Sequence, residues 1–173
     1  MRKWLLYGIG LFSALPGCGQ NKSATNVDSG YDRLLRTLYR SEVPTIQPAE
    51  LVELRRRTPR LVVLDTRTPA EYQVSHLQAA RFVDYDQFDP ATLRDVPRDQ
   101  PVVVYCSVGA RSQTIGEKLQ KLGFRDVRNL YGGIFQWVNE GQPVYDAKGP
   151  TSRVHPYSAL WGIWLKKGEK AYE

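Results

Sequence analysis

Histidine and cysteine are scarce in this chain, with two of each in 173 residues. His76 and His155 both lie far in sequence from Cys18 and Cys106, so no histidine stands beside a thiol as its base, and a Cys/His protease or transferase has no support. One disulfide is the most that two cysteines can form. Long apolar runs are missing beyond the amino terminus: Ala159-Leu160-Trp161 and Ile163-Trp164-Leu165, followed by Lys166-Lys167, make a dense patch far too short to span a bilayer. No internal repeat or low-complexity segment occurs. The net charge of +6 and pI near 9.4 describe a mildly basic surface that attracts anions. Its Lys and Arg residues are scattered apart from Arg55-Arg56-Arg57 and Lys166-Lys167, and no nucleic-acid motif accompanies either cluster, so no nucleic-acid partner is expected. No metal site and no cofactor are expected either.

What is present is enough for one globular domain: 42% hydrophobic and 24% charged residues supply a real core and a soluble surface. The chain is organised around Pro101-Val102-Val103-Val104-Tyr105-Cys106-Ser107-Val108-Gly109-Ala110-Arg111-Ser112. A β-branched run ends at a cysteine, passes through small residues and one arginine, and opens into a helical pattern at Ser112. In a parallel α/β fold, ligands bind at the carboxyl ends of the strands. The start of the next helix offers free N–H groups and a positive dipole end, which stabilise a bound anion or a thiolate.

At the amino terminus, Met1-Arg2-Lys3 followed by the apolar run Trp4 to Leu15 has the grammar of an export signal. It ends Leu15-Pro16-Gly17-Cys18, which resembles the lipobox of bacterial lipoproteins, whose signal is cut before the cysteine and whose thiol is acylated. Pro16 departs from the small or hydroxylic residue usual at its position, and no Ala-x-Ala site competes nearby. The resemblance implies an exported protein held by a lipid on Cys18 at the periplasmic or extracytoplasmic face of a bacterial membrane, leaving Cys18 unavailable to Cys106. Gly19 to Gly30 is polar and reads as a tether. Tyr31, Leu34, Leu35, Leu38 and Tyr39 then form one stripe of an amphipathic helix, better suited to packing on the domain than to a membrane surface.

From Val43 strand and helix patterns alternate. Thr45-Ile46 reads as a short strand. Pro48 opens a helix that buries Leu51 and Leu54 and stops at Thr58-Pro59. Arg60 to Asp65 reads as a buried strand, and Thr68-Pro69 as the cap and first position of a helix. Ala79 to Val83 is a weaker strand, and Asp84 to Arg98 a loop with a helical turn or two. Ile115, Leu119 and Leu122 recur on a helix closed by Gly123. Val127 to Leu130 is the last strand, and Gly132-Gly133 leads into a short helix. This alternation predicts an α/β fold, a parallel sheet with helices on both faces. The expected organisation is a signal peptide at 1–17, a tether at 18–30, the amphipathic helix at 31–42, the α/β domain at 43–144 and an extension at 145–173. The Trp-rich extension is expected to fold back over the domain, with a wall of the site as an alternative.

Cys106 lacks a neighbouring base, but Ser107, Val108, Gly109, Ala110 and Arg111 can wrap the backbone so that successive N–H groups converge, an anion nest. Gly109 permits the positive φ that such a loop needs. A thiolate held by amides, helix dipole and Arg111 suits sulfur transfer, which requires no general base.

The loop Cys106-Ser107-Val108-Gly109-Ala110-Arg111-Ser112 resembles the active-site loop of single-domain rhodanese-like sulfurtransferases. Asp65-Thr66-Arg67, Glu71-Tyr72, His76-Leu77 with Ala79-Ala80, Leu122-Gly123-Phe124, Val127, Leu130 and Gly132-Gly133 with Trp137 extend the likeness over Val43 to Val144. The resemblance implies a three-layer fold with a five-stranded parallel sheet in the order 1-5-4-2-3, and a Cys106 persulfide as intermediate. A small anionic donor, thiosulfate or a persulfide, would load the cysteine, and a thiol or cyanide would unload it. A protein acceptor or reductant is a further partner. Ser75 and Ala79 stand where the family often has glycine, so a slightly altered turn is expected. Asp65 and Arg67 are expected to support the architecture, with Arg67 placed to pair with Glu71, and His76 to make a structural hydrogen bond. Arg111 either draws in an anion or braces the loop.

Phosphatases and arsenate reductases of the same fold place five residues between cysteine and arginine, whereas four separate Cys106 from Arg111. The smaller cradle suits a persulfide sulfur better than a phosphate. Two rival functions are a binding module that turns nothing over, for which the intact Cys106 is unnecessary, and a thiol redox protein, which lacks a resolving cysteine because Cys18 is at the anchor. The lipid anchor is tested by labelled fatty acid, which should enter the full-length protein and be lost in Cys18→Ala; unlabelled, soluble wild type would contradict it.

Overall fold

The computed structural model describes residues 27–173; the expected signal, Cys18 and most of the tether lie outside them. α1 (Ser29–Leu38) begins where the Asp28 carboxylate accepts from the Gly30 and Tyr31 amides, so an acidic cap rather than the apolar stripe sets its start. β1 (Thr45–Ile46), α2 (Pro48–Arg57), β2 (Val62–Asp65), α3 (Pro69–Val74), β3 (Arg81–Phe82), β4 (Val102–Tyr105), α4 (Ala110–Lys121), β5 (Val127–Leu130) and α5 (Gly133–Asn139) follow in turn. Their strands form one five-stranded parallel sheet in the order β1-β5-β4-β2-β3, as the resemblance implies.

Strand alternation divides the core in two. Val102 and Val104 of β4 face Ile115 and Leu119 of α4, together with Leu64 and Val127. Val103 and Tyr105 face the other way, onto Leu51 of α2, Ile134 and Phe135 of α5, and Tyr31 and Leu35 of α1. All four residues of β4 are buried, the consequence of a β-branched strand covered on both faces at the centre of the sheet. The amphipathic stripe of α1 thus belongs to the domain core. Leu122, expected on the buried side of α4, is exposed, because the helix ends at Lys121 and the chain turns away through Gly123.

The polar loop between β3 and β4 contains one 3-10 turn, Pro90–Leu93. Beyond α5 the chain folds back over the domain, as expected of the extension. It forms a hairpin of β6 (Val144–Asp146) and β7 (Gly149–Thr151), then pairs β8 (Arg153–Val154) with β9 (Glu169–Lys170) around α6 (Ala159–Gly162). Val154, Leu165 and Ala171 are buried, the Asn139 side chain donates to the Trp164 carbonyl at 2.9 Å, and Trp164 stacks on Tyr31 of α1 at 5.3 Å. Among the described residues no helix is long and apolar enough to cross a membrane.

The two departures in the turn before β3 differ in cost. Ser75 is extended, with φ −172°, a conformation open to any residue. Ala79 holds φ +55° and is exposed, so its Cβ carries left-handed strain that glycine would relieve. Ala79→Gly should raise stability by roughly 0.5–1 kcal/mol after the entropic cost of glycine is subtracted. The urea midpoint of the variant measures this, and a lower midpoint would refute it.

Candidate active site

Cys106 follows the last residue of β4 at the carboxyl edge of the sheet. The helical pattern expected at Ser112 begins earlier, at Ala110, because Gly109 takes a left-handed conformation, φ +91°, and turns the chain directly into α4. A Cβ at Gly109 would also fall 2.0 Å from the Tyr39 hydroxyl, so glycine is required there on two grounds. Cys106 is 1% exposed, and its Sγ accepts from the Gly109 N–H at 3.2 Å. The first amides of α4 beyond Gly109 have no acceptor within the helix, so the sulfur lies beside the Gly109 amide at the positive dipole end of α4.

Arg111 does not point into free space. Its guanidinium makes a two-pronged pair with both Glu71 oxygens, at 2.9 and 2.7 Å, and donates to Ser107 Oγ at 3.0 Å. Ser107 Oγ donates in turn to Glu71 at 2.6 Å. Glu71 sits at the third position of α3, where it also accepts from the Thr68 amide in a capping box. The pairing of Arg67 with Glu71 expected from their spacing is therefore replaced by one between Glu71 and Arg111 across the site. Burial pushes the Glu71 carboxyl up, but the hydrogen bonds and charge of Arg111, with Ser107 and Arg67, outweigh it and hold the group down at about 2. Of the two roles open for Arg111, the geometry matches bracing the loop.

Arg67 instead pairs with Asp65 at 2.7 Å, both side chains fully buried, and donates to the Ser75 carbonyl at 2.5 Å. The Tyr105 hydroxyl donates to Asp65 at 2.6 Å and accepts from the Leu77 amide at 3.0 Å. This network ties the ends of β2 and β4 to the turn before β3. His76 stacks on Tyr72 at 4.1 Å with Nδ1 3.1 Å from the Tyr72 carbonyl oxygen, a structural contact of the kind expected.

Three further groups fix the loop from outside. Asn129 of β5 donates to the Gly109 carbonyl at 2.9 Å and accepts from Ser112 Oγ at 2.7 Å. The Tyr39 hydroxyl donates to the Val108 carbonyl at 2.9 Å and accepts from the Gly132 amide at 2.8 Å. The Ile134 and Phe135 amides of α5 donate to the Cys106 and Ser107 carbonyls. That last approach needs Gly133, since a Cβ there would come within 2.3 Å of the Cys106 carbonyl oxygen. None of Tyr39, Asn129 or the α5 amides stands out by motif. A polar residue inside the strand Val127–Leu130 is the one sequence signal that points to Asn129.

Cys106 lies on a pocket of about 170 Å³. Leu38 of α1, Val108 and Ala110 form its apolar sides, and Tyr157 and Trp161 of the extension close it. Tyr157 covers the Arg111 guanidinium, ring centre 4.8 Å from it, and holds φ +62°. The extension therefore both packs on the domain and walls the site, joining the two alternatives left open by its sequence.

These features define a class: a parallel α/β domain with a buried cysteine at the end of its central strand and a short loop wrapped around the sulfur. Residues 47–140 match the rhodanese-like domain family, and the chain belongs to that family. A sulfurtransferase of Allochromatium vinosum is 34% identical over 89 residues, 51% of this chain and 82% of the relative. A probable adenylyltransferase/sulfurtransferase MoeZ of Mycobacterium tuberculosis is 32% identical over 100 residues, 57% of this chain and 26% of that protein. A tRNA uridine(34) hydroxylase of Streptococcus thermophilus is 40% identical over 78 residues, 42% of this chain and 24% of the relative. The chain thus spans about a quarter of the length of these last two relatives. The solved structure of thiosulfate sulfurtransferase from Pseudomonas aeruginosa matches with a TM-score of 0.55 at 27% identity, over 62% of this chain and 20% of that one.

A carboxylate held low by its partner contributes stability that is full above the ordinary carboxylate range and lost as pH falls towards about 2. Wild type should lose on the order of 2–3 kcal/mol through Glu71 between about pH 5 and pH 2. Glu71→Gln should already lack that contribution at neutral pH, and the gap between the two proteins should close on acidification. Urea unfolding at both pH values checks this; a gap independent of pH would contradict it.

Proposed function

We propose that the chain is a sulfurtransferase that carries a sulfane sulfur on Cys106, taking it from thiosulfate or a persulfide and passing it to a thiol or cyanide. The observation that supports this best is the placement of Cys106 Sγ under the Gly109 N–H, at the start of α4 and on a pocket. With thiosulfate, the Cys106 thiolate attacks the outer sulfur, a new S–S bond forms, and the bond to the sulfonate sulfur breaks with its electron pair leaving as sulfite. The enzyme is left with a Cys106 persulfide anion. A cyanide or thiolate then attacks the terminal sulfur and releases the Cys106 thiolate. No proton has to be removed by a base in either step, consistent with a Cys106 thiol whose hydrogen-bond partner is a backbone amide and not a histidine.

The loop amides hold the negative charge that moves from Sγ to the terminal sulfur. Ser107, Val108, Gly109 and Ala110 provide the wrapped backbone, Arg111 braces it through Glu71, and Ser112 anchors it to Asn129. Asp65 and Arg67 support the sheet edge from which the loop springs. A phosphate cradle fits less well, because the arginine comes one residue early and both prongs of its guanidinium are engaged by Glu71. We further infer from the amino-terminal signal that the mature protein is exported and held by a lipid on Cys18. A sulfur acceptor or reductant, protein or small molecule, would then act in the same extracytoplasmic compartment.

Cys106→Ser removes the only atom in this scheme that carries sulfur. Transfer to cyanide from thiosulfate and from an organic persulfide should both fall to the uncatalysed rate; activity retained with either donor would refute the assignment.

A further inference from the structure

The pocket over Cys106 has a balance of charge and shape that narrows its donor. Among the described residues Arg111 is the one cationic side chain that lines it, and that charge is already matched by Glu71 and covered by the Tyr157 ring. Leu38, Val108, Ala110, Tyr157 and Trp161 make the remaining surface largely apolar. Bringing a dianion against such a surface costs hydration that a neutralised arginine does not repay. A volume near 170 Å³ is by contrast close to that of apolar cavities that take up a benzene ring.

The aromatic wall is held in place by the rest of the extension. Tyr157 N–H donates to His155 Nδ1 at 3.0 Å, fixing the turn in which Tyr157 takes its left-handed conformation. Ser158 caps α6, which carries Trp161, and the segment is anchored behind it by Trp164 on Tyr31 and on Asn139. Both wall residues lie outside the span 47–140 that matches the family, so this wall is supplied by the chain's own extension.

We propose that Tyr157 and Trp161 make the Cys106 site selective for singly charged sulfane-sulfur donors with an apolar body, over the dianion thiosulfate. The proposal rests on the sulfurtransferase reading above. With an aromatic thiosulfonate, the Cys106 thiolate attacks the terminal sulfur, the S–S bond to the sulfonyl sulfur breaks, and the sulfinate leaves with the electron pair. One persulfide anion and one sulfinate replace one thiolate and one thiosulfonate, with no external oxidant or reductant. The apolar body of the donor would lie between Trp161 and Leu38 while its sulfur reaches Sγ.

The test compares benzenethiosulfonate, methanethiosulfonate and thiosulfate as donors to cyanide, with each kcat/KM divided by the donor's rate with a free thiol to remove intrinsic reactivity. Wild type should prefer the phenyl to the methyl compound by at least about tenfold, with thiosulfate poorest. Trp161→Ala and Tyr157→Ala should each bring the phenyl-to-methyl ratio towards one; Tyr157 is half exposed, so its variant keeps the test valid if Trp161→Ala misfolds. A ratio near one in wild type, a preference for thiosulfate, or a ratio unchanged in both variants would overturn the proposal. If none of the three donors adds sulfur to Cys106 by intact mass, the sulfurtransferase reading fails, and the selectivity with it.

Discussion

Arg111 and Glu71 join the loop that follows β4 to the helix that follows β2, and the geometry at Cys106 depends on that join. The loop has little side-chain bulk of its own. Its shape comes from a left-handed glycine, the start of α4, and an ion pair whose acidic partner sits 1% exposed and whose basic partner remains 20% exposed. A buried charge of this kind is costly without its partner, so Glu71 and Arg111 constrain each other's position strongly. Ser107 is drawn into the same network, which is how one ion pair fixes the backbone on both sides of Gly109.

That constraint also shapes the chemistry. An arginine free to swing into the pocket would favour highly charged donors. Held by Glu71 and covered by Tyr157, it braces the loop, and in the proposed reaction the backbone amides beside it would receive the negative charge. The neighbouring pair, Asp65 with Arg67, has a similar role deeper in the domain, where the Tyr105 hydroxyl links the central strand to the turn at Leu77. Two neutralised pairs and an apolar mouth leave Cys106 in a site where the proposed selectivity would rest on shape and hydration.

Much of this is legible in the chain because local chemistry and tertiary packing agree. The β-branched run before Cys106 forms the fully buried central strand, Thr68 and Pro69 cap α3, and Val127 to Leu130 pairs beside β4 in the order the family resemblance implies. The features that escape a reading of the sequence are the long-range ones. A spacing of four suggests Arg67 with Glu71, but Arg67 turns back to Asp65 two residues before it while Glu71 pairs with Arg111 across the site, and periodicity has no means of weighing such partners. The start of α4 falls earlier than the apolar pattern implies because Gly109 acts as a left-handed entry to the helix, a role no such pattern records. Tyr31 and Tyr39 look in sequence like ordinary members of an amphipathic stripe, although their hydroxyls reach Gly132 and Val108. Tyr157 and Trp161 come to the site only through the fold of the extension.

In the proposed reaction Cys106 itself carries the sulfur in transit. Intact-mass measurement of the protein after exposure to a sulfane donor and removal of the excess tests it most directly. If Cys106 is the carrier, the mass should rise by one sulfur atom, located on the peptide containing Cys106 and discharged by cyanide. An unchanged mass with every donor, or a sulfur adduct on a residue other than Cys106, would contradict it.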